Sequence, residues 1–118
     1  LDIKLYESIV NQSLNYVCEA IHTTRLALEG RIPLIGFVGA PWTLFSYVAE
    51  GGSSKLFMHA KKWLYACPRL VHCVLKVLSG CAAAFLIRQI DAGASAVQVF
   101  ESHAGEIPPE LFDVFCSP

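Results

Sequence analysis

The sequence predicts an α/β fold with parallel strands. A continuous apolar run without a polar face, at residues 34–38, is typical of a strand buried on both sides of a parallel sheet, and residues 96–100 predict a second strand. Between them, apolar residues recur at three- and four-residue steps, which is the helical period. A strand, then helices, then a second strand is the order of a βαβ unit, so we expect the two strands to be parallel neighbours.

The first strand is flanked by a helix on each side. An amphipathic stripe predicts the preceding helix: Tyr6, Val10, Leu14, Val17, Ile21 and Leu28. Gly30 is expected just beyond its end, because glycine readily adopts the left-handed conformation found there. Pro41 fits the first turn of the following helix, predicted over 42–49.

The second strand follows two more predicted helices. Ser53 or Ser54 is expected to cap a helix over about residues 55–66. Pro68 begins another apolar stripe that closes near residue 91. The second strand then ends in the glycine-containing segment 101–105, and a pair of prolines introduces a last helix.

Composition excludes several classes of protein. Of 118 residues, 54% are hydrophobic and 16% charged, whereas an average domain is about 25% charged. This excess of apolar residues excludes disorder, and a net charge of −1 gives no basic surface for nucleic acid. Because the chain begins with Leu and ends with Pro, we expect residues 1–118 to form a single incomplete segment of a larger domain.

The longest uncharged run does not predict a membrane span. It covers the 18 residues 32–49, at the lower limit for a transmembrane helix. It contains two prolines and two glycines: Pro33, Gly36, Gly39 and Pro41. Since these residues oppose one continuous helix, we predict a strand, a turn and a new helix, with no membrane partner. Asp2 and Lys4 also interrupt any signal peptide at the start of this sequence.

The cysteines predict a reducing compartment. There are five of them: Cys18, Cys67, Cys73, Cys81 and Cys116. Their odd number and the absence of a Cys-x-x-Cys spacing favour buried free thiols over a secreted disulfide framework. We therefore expect a cytoplasmic protein.

Two hydroxyl side chains lie where parallel α/β folds bind ligands, at the carboxyl ends of the strands. Tyr47 follows the first strand by about two helical turns, and its phenol is either a donor to an anionic ligand or part of the packed core. Ser102 lies in the turn after the second strand, as a ligand contact or as an ordinary turn serine. Without a Gly-x-Ser-x-Gly context, Ser102 does not fit a nucleophile elbow.

Two further sequence patterns are weaker indications of a functional site. Glu101 and His103 would face the same way on extended backbone and could form a two-ligand metal site, but we favour no metal. Residues 51–54 are similar to an anion-binding loop before a helix, yet they lack the Gly-Lys-Ser/Thr of a phosphate loop. A flexible glycine turn is the favoured interpretation.

Three stretches carry a family resemblance: PLIGFVGAPWTL at 33–44, YVAEGGSS at 47–54 and QVFESHAG at 98–105. In this order and spacing they resemble the uroporphyrinogen decarboxylase family. The resemblance implies part of a (β/α)8 TIM barrel, with about two βα units and parallel strands near 33–38 and 95–101. It also implies a homodimer that converts uroporphyrinogen III to coproporphyrinogen III by removing four acetate carboxyl groups, without metal or organic cofactor.

The same resemblance implies site residues. Tyr47 and Ser102 match substrate-binding positions and would hydrogen-bond substrate carboxylates. The cleft wall would include Gly39, Ala40 and Pro41, whereas Glu101 and His103 match family positions to which we assign no role. The family's N-terminal arginine motif, its pyrrole-binding aspartate and its C-terminal histidine have no match in this sequence. We therefore expect no catalytic residue within it and place the key aspartate and arginines upstream.

Two alternative functions remain open at this point. A corrinoid-dependent methyltransferase of a related barrel would use zinc thiolate chemistry, although the stretches 41–43 and 50–54 favour the decarboxylase. The chain could also be a non-catalytic fragment that binds a partner through its strand edges.

Overall fold

The computed structural model describes residues 3–117 and confirms the predicted order of elements. Within this range the order is α1 (Ile3–Leu28), β1 (Ile35–Gly39), α2 (Pro41–Glu50), α3 (Met58–Ala66), α4 (Pro68–Asp91), β2 (Ala96–Phe100) and α5 (Pro109–Cys116). A short 3₁₀ turn, Ala104–Glu106, lies between β2 and α5.

Strands β1 and β2 pair in parallel, as predicted. The N–H of Ser95 donates to the carbonyl of Leu34 at 2.7 Å, before the strands begin. At the other end, the N–H of Ala40, just after β1, donates to the carbonyl of Phe100, the last residue of β2, at 2.8 Å. Since the paired positions advance together along both strands, the strands run in the same direction and end side by side.

The predicted burial of both faces of these strands is wrong for this chain. In β1, Gly36 and Val38 are buried, but Ile35 and Phe37, which alternate with them, are exposed. Every residue of β2 is exposed. The physical reason is that a strand is buried on both sides only when other elements cover both faces, and residues 3–117 do not cover these side chains.

The described residues form two compact units. The first contains the chain up to Val38 together with Gly80–Val99, and thus α1, most of both strands and the later half of α4. Here α1 approaches α4 closely at Gly80, where an added Cβ would lie 2.4 Å from the ring of Tyr6. A glycine at this position therefore permits the contact between the two helices.

Within this unit, Gln89 of α4 bonds the backbone of β1 as a neighbouring strand would. Its Oε1 accepts from the N–H of Phe37 at 2.9 Å, and its Nε2 donates to the carbonyl of Phe37 at 2.9 Å. Gly36 makes room for this side chain, because a Cβ there would lie 2.6 Å from Oε1 of Gln89. The buried amide thus satisfies both polar groups of one strand residue.

The second unit contains Gly39–Ser79 and the described residues from Phe100 onward. Its core is a cluster of side chains from α2 to α5 and the segments between them: Trp42, Phe45, Phe57, Ala60, Leu64, Val71, Leu75, Ile107 and Phe115. The predicted start of α3 near residue 55 is wrong. Ser54 accepts a hydrogen bond from the N–H of Phe57 at 3.2 Å, and Phe57 is left-handed with φ 48°, so the helix begins only at Met58.

The uncharged run 32–49 is divided between β1 and α2, as predicted. Of the helices that the structure describes, α4 is the one long and apolar enough to cross a bilayer, with a mean hydropathy of 2.1 over an 18-residue window that is 28% buried. Core helices of soluble proteins pass the same test, so α4 alone is weak evidence for a membrane.

All five cysteines are free, as predicted, but their predicted burial is only partly right. Cys18 is buried, Cys81 and Cys116 are half-buried, and Cys67 and Cys73 are exposed. Burial raises the pKa of the Cys116 thiol to about 11, and the nearby negative charge of Glu101 adds to this effect.

Candidate functional site

The candidate site is built in the second unit, on the segments that follow the two strands. The hydrogen bond from Ala40 to Phe100 sets the starts of these segments side by side. Pro41 then begins α2 directly, because proline at the first helical position gives up no intrahelical hydrogen bond. Parallel strands thus bring the first turns of α2 next to the turn at residues 101–103.

Trp42 connects α2 to the turn at residues 101–103. It is fully buried, and its indole N–H donates to the carbonyl of His103 at 2.9 Å. A buried indole N–H without an acceptor would be costly, so this bond holds the turn against α2.

Thr43 adds two more bonds to the same turn. Its hydroxyl donates to the carboxylate of Glu101 and accepts from the N–H of His103 at 3.3 Å. Because a hydroxyl has one proton and two lone pairs, both bonds form at the same time. Thr43 therefore holds the residues on both sides of Ser102.

Tyr47 is not part of the packed core, which was one of the two interpretations that the sequence left open. Its side chain is 42% exposed. Its ring makes an edge-on contact with the ring of His103, with centroids 5.2 Å apart and planes at 71°. The imidazole of His103 also contacts the ring of Phe57, with ring centroids 4.4 Å apart. The Nε2 atom of His103 is buried and has no hydrogen-bond partner among the described residues.

Both predicted substrate-binding residues are accessible and belong to this hydrogen-bonded and aromatic assembly. Ser102 is exposed within the turn that Trp42 and Thr43 hold. Tyr47 contacts His103, the residue after Ser102. The arrangement presents two hydroxyl groups, which are suitable neutral donors to carboxylates.

The predicted cleft-wall residues differ in exposure. Ala40 is buried, while Gly39 and Pro41 are half-buried. A Cβ at Gly39 would lie 2.9 Å from the side chain of Leu44, so glycine permits α2 to start this close to β1. A role of these three residues in a cleft stays a prediction.

The prediction that Glu101 and His103 lie on extended backbone and face the same way is wrong. His103 has φ −113° and ψ 16°, so its backbone is not extended and the alternation assumed for a metal pair does not apply. The carboxylate of Glu101 bonds Thr43, and the imidazole lies between two aromatic rings. These contacts show what each of the two side chains packs against or bonds in this structure.

Residues 51–54 do not open a helix, so the anion-loop interpretation is wrong. Gly51 ends α2 in the left-handed conformation, with its N–H donating to the carbonyl of Tyr47 at 2.9 Å. The carboxylate of Glu50 reaches the start of α3 and accepts from the N–H of Ala60 at 3.0 Å. This bond is the main reason that the pKa of Glu50 lies below its ordinary value. The first turns of α3 thus already hold an anion from the chain itself.

Sequence reasoning had not selected Trp42 or Thr43 for the site. The signal that could have identified them is their position in the first turn of a helix that starts at a strand end. A polar or indole group buried there needs a partner, and the adjoining strand end is the nearest source.

Residues 2–118 match the family model described as Uroporphyrinogen decarboxylase (URO-D). The chain is 49% identical over 110 residues to "Uroporphyrinogen decarboxylase" of Homo sapiens, covering 93% of this chain and 30% of that protein. It is 48% identical over 115 residues to the protein of the same name from Salinibacter ruber, covering 98% of this chain and 32% of that protein. It therefore spans about a third of the length of these relatives. With a match over almost all of its residues, the chain belongs to the uroporphyrinogen decarboxylase family.

Proposed function

We propose that the full-length protein containing this chain removes the four acetate carboxyl groups of uroporphyrinogen III to give coproporphyrinogen III. The observation that carries the proposal is the family match across residues 2–118. The assembly around Tyr47 and Ser102 at adjoining strand ends supports it, because barrel enzymes bind their substrates there. In this proposal the chain is a single incomplete segment that supplies about two βα units of a (β/α)8 barrel.

The hydroxyl groups of this chain would bind and orient the substrate. Uroporphyrinogen carries carboxylates on all four rings, and one acetate at a time must reach the reacting position. The phenol of Tyr47 and the hydroxyl of Ser102 would each donate a hydrogen bond to a carboxylate. Such charge-assisted bonds are stronger than neutral ones, and two donors on separate elements define an orientation.

The pyrrole ring can itself accept the electrons released by decarboxylation. Protonation of the pyrrole α carbon next to the ring carbon that bears the acetate arm makes the ring electron-deficient, so the electrons of the breaking C–CO₂ bond flow into the ring as CO₂ leaves and an exocyclic methylene forms. A second proton then converts the resulting methylene into a methyl group while the ring releases its extra proton. We place the groups that serve this proton transfer, with the substrate-binding arginines and the aspartate, outside residues 1–118.

We further propose a homodimer in the cytoplasm, without a nucleic-acid or membrane partner and without metal or organic cofactor. A net charge of −1 supports the exclusion of nucleic acid, and five free cysteines support a reducing compartment. Sedimentation of the full-length protein tests the dimer, since a monomer at enzyme concentrations that give full activity would contradict it.

The decisive experiment supplies purified full-length protein with freshly reduced uroporphyrinogen III and follows both products. We expect four molecules of CO₂ for each coproporphyrinogen formed. Absence of turnover would overturn the proposal. Activity that depends on stoichiometric zinc and a corrinoid methyl donor would instead favour the methyltransferase alternative, so metal content is measured on the same sample.

A further inference from the structure

We propose that Thr43 is a positioning residue, whose hydroxyl fixes the turn that presents Ser102 and aligns it with Tyr47. This inference rests on the proposed function, because it concerns how the two substrate-binding hydroxyls are held. Thr43 itself is 5% exposed, so it acts through its neighbours rather than by touching substrate.

The first observation is that one oxygen atom bonds both sides of Ser102. The Thr43 hydroxyl donates to the side chain of Glu101 and accepts from the backbone N–H of His103. If only one neighbour of Ser102 were bonded to α2, the turn could rotate about that bond. Bonds to both neighbours fix the direction in which the Ser102 side chain points. Ser102 has no such bond of its own to α2 among the described contacts, so its direction is set by its neighbours.

The second observation connects the same hydroxyl to Tyr47. Thr43 and Tyr47 are four residues apart on α2 and therefore lie on the same face of the helix. The ring of Tyr47 packs against His103, whose N–H Thr43 holds. Thr43 and Tyr47 thus connect α2 to His103 in the turn in two ways, by a hydrogen bond and by a ring contact. Without the Thr43 hydroxyl, the ring contact and the Trp42 indole would still hold the turn, but its bond to Glu101 would be lost and with it a defined direction for Ser102.

The indole of Trp42 cannot replace this hydroxyl. It bonds the carbonyl of His103, on the far side of the turn from Glu101. Of these two α2 side chains, it is Thr43 whose hydroxyl bonds Glu101, the residue that precedes Ser102. We therefore expect the turn to remain attached to α2 but to lose its alignment when that hydroxyl is removed.

Three substitutions separate alignment from folding. Thr43→Val keeps the branched shape and removes both hydrogen bonds, whereas Thr43→Ser keeps the hydroxyl. Ser46→Ala is the matched control on the same helix, because the fully buried Ser46 hydroxyl donates only to the carbonyl of Trp42 at 2.8 Å. It removes a buried hydroxyl without changing any bond to the turn.

The experiment measures kcat, KM and thermal unfolding of these variants in the full-length protein, together with Ser102→Ala and the double variant Thr43→Val/Ser102→Ala. We expect Thr43→Val to lower kcat/KM about tenfold or more, since misplacement by about 1 Å can cost about 100-fold. The change should appear in the same parameter, kcat or KM, that Ser102→Ala changes. Thr43→Ser should stay within about twofold of wild type, and Ser46→Ala should lower thermal stability alone. The double variant should be no slower than Ser102→Ala, because residues that act as a unit are not additive.

Four results would overturn the inference. If Thr43→Val has wild-type kinetics while Ser102→Ala is impaired, Thr43 does not act through Ser102. Full additivity in the double variant would show an independent effect. If Thr43→Val does not fold, Thr43→Ala is used, and failure of both to fold would make the hydroxyl structural. If Ser102→Ala is itself unimpaired, the inference falls with the site assignment while decarboxylation stands. An inactive wild-type protein instead contradicts the proposed function, which separates the two failures.

Discussion

At the scale of single residues, the ring contact between Tyr47 and His103 determines how the phenol is presented. An edge-on aromatic pair holds one side of the Tyr47 ring and leaves the side chain 42% exposed. The imidazole is held in turn by the ring of Phe57 and by the backbone bonds of its own residue. A tyrosine supported in this way loses little further rotational freedom when its hydroxyl binds a ligand.

Tyr47→Phe should slow turnover without changing the fold. The ring and its contact with His103 remain, so the unfolding temperature should stay close to that of wild type. Loss of one hydrogen bond to a carboxylate should cost about 1–3 kcal/mol, where each 1.4 kcal/mol is about tenfold in kcat/KM. Steady-state kinetics with uroporphyrinogen and with each partly decarboxylated intermediate test this. Unchanged values for every substrate would contradict the assignment.

At the scale of elements, side-chain bonds to backbone connect segments that are distant in the chain. Gln89 connects α4 to β1 through two bonds with Phe37. Glu50 connects the end of α2 to the start of α3 through the N–H of Ala60. In both cases a polar side chain bonds the backbone of another element.

Gln89→Leu should destabilise the protein. Leucine has a similar size but makes neither of these two bonds to Phe37, and each hydrogen bond contributes about 0.5–1.5 kcal/mol to stability. Urea unfolding of the full-length protein measures the loss. Gln98→Leu is the control, because Gln98 is exposed and its side-chain amide donates to the carbonyl of the adjacent residue Val99. An equal effect of both substitutions would show that the bonds to Phe37 are not the cause.

Glu50→Gln should lower stability at neutral pH and flatten its dependence on acid. The pKa of Glu50 is lowered, chiefly by the Ala60 N–H, so the folded state binds the Glu50 proton more weakly than the unfolded state. Its stabilising effect is therefore present above the ordinary value of 4.5 and is lost as pH falls through the lowered pKa. Thermal unfolding from neutral to acidic pH tests this sign. Parallel curves for the variant and wild type would contradict it.

At the scale of the whole molecule, the described chain leaves much apolar surface uncovered. All residues of β2 are exposed, and so are Ile35 and Phe37 of β1. Soluble proteins seldom expose contiguous apolar patches of this kind, and unpaired strand edges favour association. The chain spans about a third of the length of its relatives, and the proposed barrel would supply the missing cover.

Residues 1–118 expressed alone should therefore neither fold cooperatively nor decarboxylate uroporphyrinogen. We expect aggregation, or a species that binds hydrophobic dye and unfolds without a sharp transition. Sedimentation, dye binding and thermal unfolding measure this, with the full-length protein as the positive control. A soluble monomer with cooperative unfolding and turnover would contradict the single-segment proposal.

Local structure and family membership could both be predicted without the tertiary structure. Strand positions followed from two apolar runs, and the helix ends near Gly30 and Pro68 followed from the conformations that these residue types favour. The order of the elements predicted the parallel pair. These features depend on neighbours within a few residues, which is why pattern and residue type suffice for them.

Only the tertiary structure decided what holds the site. Thr43 bonds Glu101 and His103 across 58 and 60 residues of chain, and no local pattern specifies such a contact. The crossover that returns β2 beside β1 creates it. The same reason explains the exposure of β2, because an apolar run records a tendency to be buried, whereas actual burial depends on the elements that lie against it.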